Sequence, residues 1–169
     1  RLHVKMVTSH VCFMLATVPS TWAAAGPYTV LSKTFTYSAL DETDQHIDVL
    51  YPSANFSGQQ FPLIAYAHGF DDAGGDQFYA QLGPDLASWG YVVAFPNSCT
   101  YGCLHDCVSL SGDPPCFGHY YLEQLKTIEF FSTTAAAGVP VNTSAVAVAG
   151  HSMGGQASLF SASNASAIG

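Results

Sequence analysis

Gly150-His151-Ser152-Met153-Gly154 forms a G-x-S-x-G pattern, and the chemistry open to it is that of a serine nucleophile in acyl transfer. A short apolar run, Ala145 to Ala149, leads in and an Ala-rich segment, Gln156 to Ala162, leads out. This is the strand-turn-helix setting that such a serine requires. On a bend this tight, side chains two residues before and after would collide, and Gly150 and Gly154 leave that space open. Ser152 Oγ would then stand at the carboxyl end of a sheet, near the positive end of the next helix, where developing negative charge is stabilised. The other reading is a plain glycine turn or a phosphate cradle. A Walker-type loop needs Gly-Lys-Ser/Thr, and no lysine is present here.

Acyl transfer also needs donors for the oxyanion. The backbone N–H of Met153, next after the nucleophile, is one candidate. The second is expected from the loop after the third strand, which begins His68-Gly69-Phe70, and Phe70 N–H is the choice there. His151 adjoins the nucleophile, with its side chain expected to point away from Ser152 Oγ. No spacing places His46, His68, His105 or His119 on the serine, so no base is assigned.

The elements that must carry these residues follow from apolar patterning. Tyr28 to Tyr37 and His46 to Tyr51 read as a hairpin across the polar Asp41-Glu42-Thr43-Asp44 turn. Pro62 to Ala67 and Tyr91 to Phe95 are short continuous apolar runs, as expected of strands buried on both faces, and Ala145 to Ala149 is a third. Between them a helix is predicted from about Asp76 to Trp89, kinked or split at Gly83-Pro84. A second is predicted over His119 to Ala137, with Leu122, Leu125, Ile128 and Phe131 along one face and Gly138 and Pro140 as its stop. Trp89, Phe95, Phe130 and Phe131 are assigned to the core. The class is α/β, a mainly parallel sheet with an N-terminal antiparallel hairpin and helices on both faces. The chain stops as a helix begins, so the expectation is a truncated domain over residues 26–169 with its last strand at an uncovered edge.

Composition narrows the function class. The 169 residues are 49% hydrophobic and 13% aromatic, which suits a packed globule and excludes a disordered or fibrous chain. A net charge of −8 has the wrong sign for gripping a phosphate backbone, so nucleic acid is not an expected partner. Arg1 and Lys5 precede an apolar run from Val7 to Val18, followed by Pro19 and Ala23-Ala24-Ala25, which has the layout of a signal peptide over residues 1–25. The alternative is a buried N-terminal helix. The run falls short of the roughly 20 residues that span a bilayer, so no integral membrane segment is expected.

Cys99, Cys103, Cys107 and Cys116 form an even set in a long loop, with His105 and His119 nearby. Disulfides suit an exported chain, in any of three pairings. Zinc is the competing reading, but no second close pair follows at a distance. Sequons at Asn55, Asn142 and Asn164 are compatible with export. Asp71, Asp72 and Asp76 lack the spacing of a calcium loop and read as solvated. Neither a metal nor a cofactor is expected.

Pro62 to Phe70 (PLIAYAHGF), Phe78 to Pro96 (FYAQLGPDLASWGYVVAFP) and Ala149 to Gly155 (AGHSMGG) resemble the α/β-hydrolase superfamily. Within it they are similar to the branch of chlorophyllases, cutinase-like polyester hydrolases and platelet-activating-factor acetylhydrolases. The resemblance implies a Ser-His-Asp esterase with Ser152 as nucleophile and Phe70 and Met153 as oxyanion hole, to which the leader-like segment adds secretion; a small, lipid, chlorophyll or polyester ester would fit as substrate. It also implies that the Phe70 ring lines the acyl site. One departure is plain: the family's acid and base follow the nucleophile, yet no Asp, Glu or His follows Ser152. The rival expectation is therefore a hydrolase-fold binding module or an inactive truncated product.

Overall fold

The computed structural model describes residues 25–39, 42–69, 79–97, 117–134 and 138–163. The signal-peptide reading, Phe70, the acidic loop, all four loop cysteines, His105 and the Asn164 sequon lie outside them. Among the described residues no helix is long and apolar enough to cross a membrane.

Five strands form one mixed sheet in the order β1-β2-β4-β3-β5. β1 (Val30–Ala39) and β2 (Glu42–Pro52) make the expected antiparallel hairpin, in register from Val30 opposite Pro52 to Tyr37 opposite Gln45. Its turn is tighter than expected, because Glu42 already pairs with Ala39. The backbone ladder, not side-chain polarity, decides where the strands part, and an irregularity between Tyr37 and Ala39 takes up the slack. β2 then pairs antiparallel with β4 (Val92–Pro96), while β3 (Phe61–Ala67) lies parallel between β4 and β5 (Val141–Gly150).

Successive strand residues face opposite sides. Leu63, Ala65, Val92 and Ala94 join Ile47 and Val49 on one side. Ile64, Tyr66, Val93 and Phe95 occupy the other, with Tyr79 and the half-buried Leu50 and Leu86 against them. Two covered faces explain why β3 and β4 are continuously apolar.

α1 (Leu82–Ser88) starts later than Asp76. Pro84 therefore lies in its first turn, where a missing N–H leaves no helical bond unmade, and does not split it. Gly83 is needed for contact with the sheet, since a Cβ there would come within 2.5 Å of Leu50 Cδ1. Trp89 departs from its core assignment and is 58% exposed. It caps the helix at the reversal into β4, where Gly90 takes φ +97°, and Ala87 and Ser88 fill the buried places beside it.

α2 (Phe117–Thr133) packs on the first face and ends before the predicted Ala137. Ile128 and Phe131 are buried as expected, but Leu122 and Leu125 are half-buried. The fully enclosed side chains ahead of Ile128 are polar: Glu123, Gln124 and Thr127. Glu123 accepts a hydrogen bond from Tyr37 Oη. Gln124 Nε2 faces the Ala65 carbonyl at 3.2 Å, the Ala149 carbonyl at 2.9 Å and Ser158 Oγ at 2.9 Å, and its Oε1 accepts from Ser161 Oγ at 2.8 Å. This one side chain joins β3, β5 and α3 (Met153–Ser163), which lies beside α2.

β5 is the terminal strand of the described sheet, and it is not fully buried as its apolar run predicts. Val146 and Val148 pack into the core under α2, whereas Ala147 on the opposite side is exposed. On that opposite side only the carboxyl end of the strand is covered among the described residues, where Ala149 packs against the Ile64, Tyr66 and Phe95 cluster.

Gln124→Leu is expected to lower the unfolding free energy in urea by about 3 kcal/mol, because it strands several buried partners at once. Ser132→Ala, on the exposed side of α2, should change it by less than about 0.5 kcal/mol.

Candidate functional site

β3 and β5 run parallel and end side by side, with Ala67 opposite Gly150. From there β5 turns into α3 through His151 and Ser152. Ser152 has φ 53°, the one positive φ at a non-glycine residue among those described. This left-handed conformation costs an L-residue roughly 1–2 kcal/mol and persists only where the surroundings enforce it. Here the enforcement is visible in the backbone bonds: His151 N–H donates to the Ala67 carbonyl at 3.1 Å, Gly154 N–H to the His151 carbonyl at 2.9 Å, and Gln156 N–H to the Ser152 carbonyl at 3.2 Å.

The two flanking glycines are required by contact. A Cβ on Gly150 would lie 2.4 Å from the Gly154 carbonyl group, and one on Gly154 would lie 2.1 Å from the Ala67 oxygen and 2.4 Å from the His68 oxygen. All of these are backbone atoms and cannot rotate away. Ser152 is exposed. Met153 opens α3, and an N–H in a helix's first turn has no partner within the helix. The bend therefore offers a hydroxyl and an adjacent amide, as a nucleophile and an oxyanion donor require.

His68 and Gly69 follow β3 at the same end of the sheet. His68 is 2% exposed, and its Nδ1 lies 2.7 Å from the Gly69 carbonyl, to which it can only donate. Gly69 N–H donates to Tyr79 Oη at 2.9 Å, and Tyr79 Oη lies 3.0 Å from His151 Nδ1. The imidazole of His151 thus engages Tyr79. His46 sits on β2 near Asp48, at 3.4 Å. The second donor, Phe70 N–H, lies outside the described residues.

Tyr79 and Gln124 are the two side chains of this region that the sequence did not single out. Tyr79 sits in the FYAQLGP stretch with no spacing that ties it to the elbow, and Gln124 reads as a solvated helix residue. Tyr66, beneath Tyr79 with ring centroids 5.1 Å apart, has its phenol pushed up to about 12 by burial and then by Tyr79. Among the described residues no cluster of His, Cys, Asp or Glu could hold a metal ion.

Two outcomes follow. Gly154→Ala should cost at least about 3 kcal/mol or prevent folding, whereas Gly155→Ala, whose Cβ would meet the Gly150 oxygen at 3.2 Å, should cost about 1 kcal/mol, both read by thermal and urea unfolding. The Tyr66 phenol adds nothing to pH dependence below pH 10, where folded and unfolded states both hold its proton. Between pH 10 and 12 the unfolded state loses it first, so stability should fall by about 2 kcal/mol, an increment absent from Tyr66→Phe.

No protein-family model matches the chain, and no curated protein matches it. Among solved structures it superposes on one described as brefeldin A esterase, a bacterial homologue of human hormone sensitive lipase, with a TM-score of 0.58 and 18% identity. The match covers 91% of this chain and 39% of that one, so the chain spans well under half the length of that esterase. At this identity the likeness concerns the fold, and the fold is that of the α/β hydrolases.

Proposed function

We propose that the chain carries the nucleophile of a serine hydrolase that cleaves carboxylic esters. Ser152 Oγ attacks the acyl carbon, the alcohol departs, and water then releases the acid from the acyl-enzyme. Met153 N–H and Phe70 N–H hold the oxyanion, and the Phe70 ring lines the acyl site. The observation that carries this reading is the φ of 53° at Ser152, enforced by two glycines that admit no Cβ. Strain at an exposed hydroxyl has no evident structural use, whereas presentation of a nucleophile requires it. The esterase named above has the same fold and supports the reaction class.

The substrate belongs with those of the chlorophyllase, polyester hydrolase and platelet-activating-factor acetylhydrolase branch, on the strength of the HGF and GHSMGG segments. Export through a cleaved leader, with Cys99, Cys103, Cys107 and Cys116 in disulfides, completes the proposal. No cofactor takes part.

A second reading rests on a specific observation: among the described residues no imidazole or carboxylate is bonded to Ser152 Oγ, and the adjacent imidazole of His151 meets Tyr79 instead. Without a base and its acid, what remains is the small rate supplied by binding and the oxyanion hole. In that case the chain is a hydrolase-fold binding module or an inactive product.

The longest protein that the gene encodes separates the two. A fluorophosphonate probe should label it at Ser152 and fail on Ser152→Ala. Equal labelling of both proteins refutes the nucleophile, and absence of labelling in either favours the binding module.

A further inference from the structure

An oxyanion hole assembled from two chain segments works only if those segments keep their spacing. Met153 belongs to the elbow and Phe70 to the loop after β3. Displacement by about 1 Å can cost on the order of 100-fold in rate, as much as the loss of a donor. Something must hold the two segments in register.

We propose that Tyr79 is a positioning residue for this oxyanion hole, its hydroxyl tying Gly69 of the β3 loop to His151 of the elbow. The inference rests on Ser152 being the nucleophile. Tyr79 Oη accepts from Gly69 N–H at 2.9 Å and lies 3.0 Å from His151 Nδ1. A phenol has two lone pairs and one proton. With one lone pair taken by Gly69, the proton is given to a bare Nδ1, or the second lone pair accepts from a protonated one. The tie holds in either form of the imidazole.

Three further observations support it. Tyr79 is 6% exposed and its ring is fixed against Tyr66, at 5.1 Å, and stacked near Phe95, at 6.3 Å and 18° between planes. The hydroxyl is therefore anchored to the sheet and not to a loose side chain. At Gly69, a Cβ would lie 2.9 Å from His151 Nδ1 and 3.4 Å from Tyr79 Oη, so glycine is what allows the His151 ring this close. Finally, Gly69 N–H is committed to Tyr79 and is not itself an oxyanion donor.

The test uses the longest encoded protein, with a fluorophosphonate and p-nitrophenyl acetate as probes. Tyr79→Phe keeps the ring and removes the tie. Its labelling rate and kcat should fall roughly 10- to 100-fold with KM within about twofold, the signature of an interaction that matters in the transition state. His151→Ala should fall by the same factor, and the double variant no further, because both break one link. His151→Asn, which places an oxygen close to the position of Nδ1, should recover most of the rate. Wild-type labelling with unchanged rates in Tyr79→Phe overturns this inference and leaves the nucleophile standing. Should Tyr79→Phe not fold, the comparison of Ala and Asn at the exposed His151 decides: equal rates overturn the inference. A wild-type protein that never labels overturns both readings.

Discussion

The contact between the end of β3 and the bend that follows β5 is the constraint on which the remaining geometry depends. The Ala67 carbonyl takes the His151 N–H, and it stands so close to Gly150 and Gly154 that neither can carry a side chain. Backbone is packed directly on backbone, and this closeness forces Ser152 into its left-handed conformation. A looser approach would let the residue relax into an ordinary helical start, and its hydroxyl would be turned elsewhere.

Such a contact is rigid only if the two strands are themselves held. The parallel ladder from Leu63 to Ala67 does part of this. Gln124 does the rest from the helix layer, reaching carbonyls on both strands and two serines of α3 through one amide. Ser158 closes the circuit by donating to the Gly154 carbonyl at 2.8 Å. A polar network of this kind, enclosed under apolar helices, rigidifies because each member is satisfied by the others. On the other face the Tyr66, Tyr79 and Phe95 rings form the platform from which Tyr79 reaches the elbow.

Much of this was legible in the sequence, and what was not shares one cause. Apolar runs located β3 and β4 because a strand buried on both faces has few alternatives to Val, Ile, Leu, Ala and aromatics. The two glycines of the elbow announced themselves because steric exclusion leaves a residue type as its trace. Gln124 and Glu123 left no such trace: at i, i+3 spacing their neighbours Leu122 and Leu125 look like the inward stripe, and only the placement of α3 shows that an amide is wanted there. Trp89 misled for the complementary reason, since size suggests burial while its place at a helix end does not permit it. Tyr79 depends on a meeting of three segments far apart in the chain, which no local pattern encodes.

Among the described residues, every bond that shapes the bend at Ser152 comes from residues between Ala65 and Ser161, none of them an acid or a base acting on the serine. The shape of the bend is therefore set independently of any group that would move a proton at the serine. A substitution that alters proton transfer at the serine thus leaves the placement of its hydroxyl as it is, because that placement is set by backbone packed on backbone.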